Sequence, residues 1–298
     1  STRAGGVFLT SLVQSGCAAV IRHAPLKTTS IRSGVVRISA VAGVSVKTGI
    51  RESINGPAER RKTKFLAGMG FTRRRWSGMR FRTFLFDLDG TLIEHLPAIH
   101  RCYAYTIPKL GYPAPTYQEV KNAIGGGSPR AMGKFVPAER VAEALEIYRA
   151  YWHETMLDGV SLMPGAEMIL RELKSRGFQT AAFTNKHGPS SRRICDHLSI
   201  TPWLDAVVGA DDTPWLKPEP AFNNYMIEQL DAATTAETTC MVGDSPYDVG
   251  AALAGGWGFA GVTTGTHSEA QLREAGATDV YADLPAIARQ WDLAGAAP

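Results

Sequence analysis

Beyond residue 80 the chain alternates short apolar runs with longer stretches whose apolar residues recur at helical spacing. Residues 81–86 are an apolar, aromatic run ending in acids, which predicts a strand. Over residues 165–176, Ala166, Ile169, Leu170 and Leu173 share one helical face, and Gly177 marks the stop. The pattern continues with strands over 178–183, 206–208, 239–242 and 259–262, helices over 190–198, 221–230 and 249–254, and a closing helix over 284–291. Strands alternating with helices are the signature of a parallel sheet with crossover helices. The expected class is α/β, a Rossmann-like parallel sheet core with helices on both faces.

One stretch breaks the alternation. Residues 93–163 are helical in pattern and contain no strong strand, with helices expected over 98–110, 117–124 and 138–156. The last carries Val141, Leu145, Tyr148 and Trp152 along one face. A helical insertion in an α/β sheet is most simply a lid over the strand ends, where such sheets bind ligands. Leu162-Met163-Pro164-Gly165 reads as its return hinge. The expected organisation is a core over 79–93 and 164–298 with an α-helical cap over 94–163.

Charge separates the front of the chain from the rest. The net charge of +4 over 298 residues conceals 14 Lys+Arg against 2 acids in residues 1–78, and 18 against 26 in residues 79–298. The front segment has no acid before Glu52 and ends in the clusters Arg60-Arg61-Lys62-Thr63-Lys64 and Arg73-Arg74-Arg75. Three readings fit: a transit peptide, a nucleic-acid or anionic-surface arm, or leader sequence ahead of a start at Met79. The third is preferred, because Met79-Arg80 runs at once into a strand and a catalytic motif; the segment is expected to be disordered. A secretory signal over 7–21 is broken by Thr10, Ser11, Gln14 and Ser15, and Gln14 sits where a lipoprotein signal ahead of Cys17 wants an aliphatic residue. No run of about 18 apolar residues predicts a membrane span. Cys17, Cys102, Cys195 and Cys240 are widely spaced without a CxxC pair, which argues against a zinc site or a disulfide framework and for reduced thiols in the cytoplasm. A transit peptide would instead mean an organelle.

Chemistry concentrates at the predicted strand ends. In Phe86-Asp87-Leu88-Asp89-Gly90-Thr91-Leu92, two carboxylates two residues apart leave the sheet on the same side, and Gly90-Thr91 permits a sharp turn. Paired acids are costly unless a cation or a phosphate site accounts for them. Alone, the pair also fits a surface loop with two capping aspartates. Three further strand ends change that balance. Phe183-Thr184-Asn185 offers a hydroxyl and an amide, Lys217 in Leu216-Lys217-Pro218-Glu219-Pro220 gives a cation at a helix start, and Gly243-Asp244-Ser245-Pro246-Tyr247-Asp248 adds two acids.

These four motifs, in this order, resemble those of the haloacid dehalogenase-like hydrolase superfamily, specifically its phosphatases with a helical cap, across about residues 79–298. Thr184-Asn185-Lys186-His187-Gly188 and Ile124-Gly125-Gly126-Gly127 look most like the phosphoglycolate phosphatase branch. The resemblance implies that Asp87 attacks phosphorus to form an aspartyl-phosphate. Asp89 would protonate the leaving alkoxide and then deprotonate the hydrolytic water. It implies Mg²⁺ held by the Asp87 carboxylate, the Asp89 backbone carbonyl and Asp244, a sparse oxygen set that suits this ion. Thr184, Asn185 and Lys217 would grip the phosphoryl oxygens, and Asp248 would orient Lys217 or a metal-bound water.

Within the superfamily, Asp89 argues against carbon–halogen cleavage, and the unmodified DxDGT argues against the phosphonate-cleaving branch. The mutase branch usually has Val where Thr91 stands. Gly125-Gly126-Gly127-Ser128 lacks the lysine of a P-loop. The resemblance makes Gly126, Ser128 and Arg130 specificity candidates, and a flexible turn between cap helices is the competing reading. His95, His100 and His187 read as structural or surface residues, Asp211-Asp212 as a solvated loop, and Trp152, Trp203 and Trp257 as packing.

The expected function is a Mg²⁺-dependent phosphatase acting on a small phosphorylated metabolite, with 2-phosphoglycolate the first substrate to try. The enzymatic alternative is a sugar phosphomutase, β-phosphoglucomutase-like, or a pyrophosphatase on the same core. The non-enzymatic alternative is nucleic-acid or anionic-surface binding by the basic arm, which predicts salt-sensitive binding. The sequence pI near 8.9 describes that arm more than the acidic remainder, so nucleic acid is not the expected partner.

Overall fold

A computed structural model describes residues 29–32, 35–38 and 80–293. The chain divides into two units, Ser1–Arg73 and Arg74–Pro298. In the first, β1 (Thr29–Arg32) pairs antiparallel with β2 (Val35–Ile38), Thr29 opposite Ile38 and Arg32 opposite Val35. The expectations about the basic clusters, Cys17 and disorder over residues 1–78 otherwise lie outside the described residues.

The second unit is built on a six-stranded sheet. Its strands are β3 (Thr83–Phe86), β6 (Gln179–His187), β7 (Ala206–Ala210), β8 (Thr239–Gly243), β9 (Gly258–Val262) and β10 (Val280–Tyr281). The spatial order is β10-β9-β8-β3-β6-β7, and every pairing is parallel. β3 is therefore central. Successive side chains of a strand face opposite ways, and the packing follows that period. Phe84, Phe86, Ala182, Cys240 and Val242 enter one hydrophobic cluster, while Leu85, Ala181, Phe183 and Met241 enter the other. Helices α5 (Ala166–Ser175), α6 (Gly188–His197) and α10 (Leu284–Gln290) supply Leu170, Ile194 and Ile287 to the first. Helices α7 (Pro220–Glu228) and α8 (Pro246–Gly255) supply Phe222, Met226 and Ala251 to the second. Both faces are covered, as a parallel sheet requires.

Between β4 (Ile93–Glu94) and β5 (Ser161–Leu162) lie α1 (Leu96–Lys109), α2 (Tyr117–Ala123), α3 (Ser128–Met132) and α4 (Val141–Thr155). β4 and β5 pair antiparallel, so the chain enters and leaves this helical stretch at one place. α1 packs on α4 through Tyr103 against Tyr148, ring centroids 5.2 Å apart, and Tyr105 stacked on Tyr151 at 3.9 Å. Their buried residues continue into the same cluster as Phe84 and Phe86.

The sequence pattern misses what is short or paired at a distance. Helix α3, helix α9 (Glu269–Glu274), β10 and the β4–β5 pair are too brief for a periodic signal. β6 runs four residues beyond its expected end, through a register irregularity between Phe183 and His187. Cys102, Cys195 and Cys240 are buried free thiols. Among the described residues, no helix is long and apolar enough to cross a membrane.

Candidate active site

Register decides which residues meet. Phe86 pairs with Ala182 on one side and Val242 on the other, so Asp87, Thr184 and Asp244 emerge along one rim of the sheet. The Asp87 backbone N–H donates to Val242 O at 2.9 Å, continuing the ladder one residue past β3. The chain then turns tightly, with the Leu88 carbonyl accepting from the amides of Thr91, Leu92 and Ile93 at 3.1, 3.0 and 2.9 Å. Gly90 sits at φ +86°, and a Cβ there would lie 2.6 Å from Gly265 Cα and 2.9 Å from Asp244 Oδ2. Glycine is required both by that conformation and by the close approach of Asp244.

Lys217 is the hub. It is 3% exposed, and its Nζ donates to Asp87 Oδ1 at 2.9 Å, Asp248 Oδ1 at 2.6 Å and Phe183 O at 2.7 Å. Burial disfavours its charge, but Asp248 and Asp87 outweigh this and raise its pKa. Asp248 is held from the other side. Its Oδ2 accepts from the Ser245 amide at 3.0 Å and hydroxyl at 2.7 Å, closing the capping box that starts α8. Asp244 Oδ2 accepts from the Thr266 amide at 2.9 Å, and Thr91 Oγ1 lies 3.4 Å from its Oδ1.

Oxygens of Asp87, Asp244 and Asp248 lie within 4.8 Å of one another. Three buried carboxylates thus share one ammonium. Burial, with neighbouring acids adding to it and Lys217 opposing it, pushes Asp87 up to about 6; burial together with Asp87 and Asp248 pushes Asp244 well above the usual carboxylate range. A hard cation would complete this charge balance, and carboxylate oxygens are what Mg²⁺ takes. Asp248 is committed to Lys217 and Ser245 through short bonds at both oxygens, whereas Asp87 has Oδ2 without a hydrogen bond and Asp244 Oδ1 has only a long contact to Thr91, so these two carboxylates could hold such an ion. The Asp89 carboxylate is outside the cluster, so what Asp89 can lend is its backbone carbonyl.

Asp89 faces a different partner. Lys186 Nζ lies 3.0 and 2.9 Å from its two oxygens. Burial alone would raise Asp89, but the Lys186 ammonium beside it overcomes this and holds the carboxyl well below its ordinary value. His95 is 1% exposed, and its Nε2 is 2.7 Å from Met156 O, so that nitrogen carries a proton. Nδ1 then faces Asp89 Oδ1 at 3.6 Å, beyond hydrogen-bonding range, and is a buried nitrogen without a hydrogen bond. Burial and Lys186 lower the His95 pKa.

The remaining candidates take varied places. Thr184 is buried, and its Oγ1 accepts from the Lys186 amide at 3.2 Å. Asn185 forms a tie: Nδ2 donates to Gly125 O at 3.2 Å and Lys217 O at 3.1 Å, while Oδ1 accepts from the Lys217 amide at 2.7 Å. Its donors go to backbone, joining the Gly125 loop to the Lys217 loop. A cavity of about 320 Å³ opens over the rim, lined by Asp87, Asp89, Thr184, Asn185, Lys217 and Asp244 on the sheet side. Ile99, Tyr103, Ile124, Ser128, Tyr148 and Trp152 line it from the helical side. Gly126 and Arg130 are not among the lining residues; Gly126 packs on Tyr247, and the Arg130 guanidinium lies 5.9 Å from the centroid of the same ring.

Residues 84–262 match the sequence profile of the haloacid dehalogenase-like hydrolases, well over half of the chain. The chain belongs to the haloacid dehalogenase-like hydrolase family. A phosphoglycolate phosphatase of Cereibacter sphaeroides is 35% identical over 188 residues, covering 61% of this chain and 84% of its own. One of Yersinia pestis is 31% identical over 191 residues, covering 62% and 82%. In fold, the hydrolase is similar to a solved structure from Haemophilus somnus described as a predicted phosphoglycolate phosphatase. That structure has a TM-score of 0.65 and 23% identity, and the match covers 72% of this chain and 99% of the other.

Three residues of this haloacid dehalogenase-like hydrolase escaped sequence reading. Lys186 lay in a quoted motif without a role, and its Nζ now bridges to Asp89. His95, expected to be structural or on the surface, is buried beside Asp89. Trp152 packs in the core as expected and also lines the cavity, with Lys186 Nζ 4.6 Å from its ring centroid. The usable signal was that Lys186 follows Thr184 and Asn185 at the end of a central strand. His100 and His187 are structural: His100 Nε2 is 3.1 Å from Pro115 O, and His187 caps α6 through Ser190. In the loop expected to be merely solvated, Asp212 pairs with Arg192 and accepts from the Gly209 amide, while Asp211 lines the cavity.

Proposed function

We propose that this hydrolase is a phosphoric monoester hydrolase for a small phosphorylated metabolite, with 2-phosphoglycolate the first substrate to test. The observation that carries this reading is the pairing of two unlike carboxylates on one rim. Asp87 sits in the acid cluster around Lys217, and Asp89 faces the cavity separately beside Lys186. Asp87 attacks phosphorus and is phosphorylated, held in position by Lys217. When Lys186 turns from Asp89 to the substrate, Asp89 takes up a proton, donates it to the leaving alkoxide and then takes one from the attacking water, which hydrolyses the aspartyl-phosphate. Lys217 offsets charge developing on the phosphoryl oxygens, assisted by Thr184. Asp248 positions Lys217, and Asn185 holds the Lys217 loop against the Gly125 loop.

The Asp87 and Asp244 carboxylates and the Asp89 carbonyl would hold Mg²⁺, which would supply the positive charge that lets an anionic nucleophile meet an anionic phosphate. Residues 94–163 serve as a cap on the core of 79–93 and 164–298, supported by their lining of the cavity from the helical side. Ser128 is the specificity candidate favoured among the three glycine-loop residues. The free thiols at Cys102, Cys195 and Cys240 accord with a reducing, cytoplasmic setting. The curated relatives favour phosphatase over mutase or pyrophosphatase.

The test is phosphate release with Mg²⁺ across a panel of phosphorylated metabolites, without a bisphosphate activator, for wild type and Asp87→Asn. Turnover is expected in the wild type and none in Asp87→Asn, with an unchanged circular-dichroism spectrum. Full activity in Asp87→Asn would overturn the assignment.

A further inference from the structure

We propose that Lys186 reads the leaving group: its ammonium engages an anion, a carboxylate, carried one carbon from the ester oxygen of the substrate. This rests on the phosphomonoesterase reading above, in which Asp89 delivers the proton. A proton donor must come within about 2.6–3.2 Å of the oxygen it protonates. Lys186 Nζ lies 3.0 and 2.9 Å from the two Asp89 oxygens, so it stands within about 6 Å of the leaving oxygen. A carboxylate on the adjoining carbon spans that gap. A more distant charge overshoots it.

The site is built to hold the cation there. The Lys186 side chain is 7% exposed, lines the cavity, and rests against the Trp152 ring at 4.6 Å. The indole is itself anchored by a bond from its N–H to Ser190 Oγ at 3.2 Å. Partial desolvation strengthens the pull on an anion, and the cation–π contact fixes where the ammonium sits. Two of the three ammonium donors meet Asp89, and the third has no hydrogen-bonding partner among the described residues. Lys217, by contrast, spends all three donors on Asp87, Asp248 and Phe183. Arg149 also lines the cavity but is exposed, where an ion pair contributes little.

The experiment compares 2-phosphoglycolate with its neutral isostere, the phosphate ester of glycolamide, for the full chain with Mg²⁺. Wild type is expected to favour the carboxylate by about 10- to 100-fold in kcat/KM, the usual scale for a charge-assisted hydrogen bond. Lys186→Met should collapse the preference to within about threefold of unity, and Lys186→Arg should restore part of it. Reading the ratio separates leaving-group recognition from any general effect on Asp89, which moves both esters together. A wild type that treats the two esters alike, or a preference that survives Lys186→Met, overturns the inference while leaving the phosphatase reading intact. Failure of the wild type to release phosphate from any ester overturns the phosphatase reading, and this inference with it.

Discussion

Lys217 has three donors and three protein acceptors, so its ammonium is fully satisfied before any substrate arrives. On the proposed mechanism, binding a phosphoryl group there exchanges one of those partners, and Asp87, the proposed nucleophile, is the one that changes. Asp89 is different in kind, because its neighbours Lys186 and His95 come from outside the acid cluster. The proton-donor role proposed for Asp89 makes a prediction at this scale. Asp89→Asn should lower kcat about 10²- to 10⁴-fold for an alkyl phosphate. It should lower the phosphorylation step far less for p-nitrophenyl phosphate, whose leaving group departs without a proton. Single-turnover release of the leaving alcohol, p-nitrophenol in the second case, isolates that step, and an equal loss of it on both esters would count against Asp89 as the acid. Asp87, Asp89 and Asp244 stand out in the sequence because each occupies a motif at a predicted strand end, and Lys217 because it stands ahead of a predicted helix start. Lys186 does not, since its meaning lies in a contact with a residue 97 positions earlier.

At the scale of elements, the site is a meeting of turns. The turn after β3 needs Gly90, and the entry to α8 needs the box between Ser245 and Asp248. Asp248 joins helix start to catalytic lysine, so removing it acts on both. Asp248→Ala deletes a cap worth about 1 kcal/mol. It also removes one charge-assisted hydrogen bond from Lys217, worth about 1.5–3 kcal/mol, while Asp87 still pairs with the ammonium. The expected loss is about 2–3 kcal/mol in urea unfolding, with turnover reduced as well; a loss below about 1 kcal/mol would remove Asp248 as the support of this corner. Most elements were readable from apolar periodicity, including the crossover helices and the long α4. The last turn of β6 was not, because the irregularity between Phe183 and His187 follows from pairing with β7, not from local composition.

Across the molecule, the acid cluster sets the response to pH and metal. Asp87 titrates near 6 when folded, against about 3.9 for an unfolded aspartate. From about pH 4 upward the folded state therefore binds more protons than the unfolded one, and metal-free stability falls as pH rises through the Asp87 window, with Asp244, also raised, adding to the loss. On the proposed site, Mg²⁺ would bind the ionised carboxylates and reverse this loss. At about 100 times its Kd it should raise Tm by roughly 5–10 °C at pH 7, and by distinctly less at pH 5. Calorimetry with Mg²⁺ and with EDTA checks this, and equal shifts at both pH values would contradict it. The chain's own order of apolar and polar residues determined the parallel α/β class, the helical insertion, the carboxylates at strand ends and the lysine ahead of a helix start, because periodicity and motif spacing are local properties. Only the tertiary structure decided that Asp244 and Asp248 close on Asp87 while Asp89 turns to Lys186. It likewise decided that Asn185 ties two loops, and that Trp152 backs the cavity. Those outcomes depend on strand register and on helices packing across it, which bring together residues that no local pattern relates.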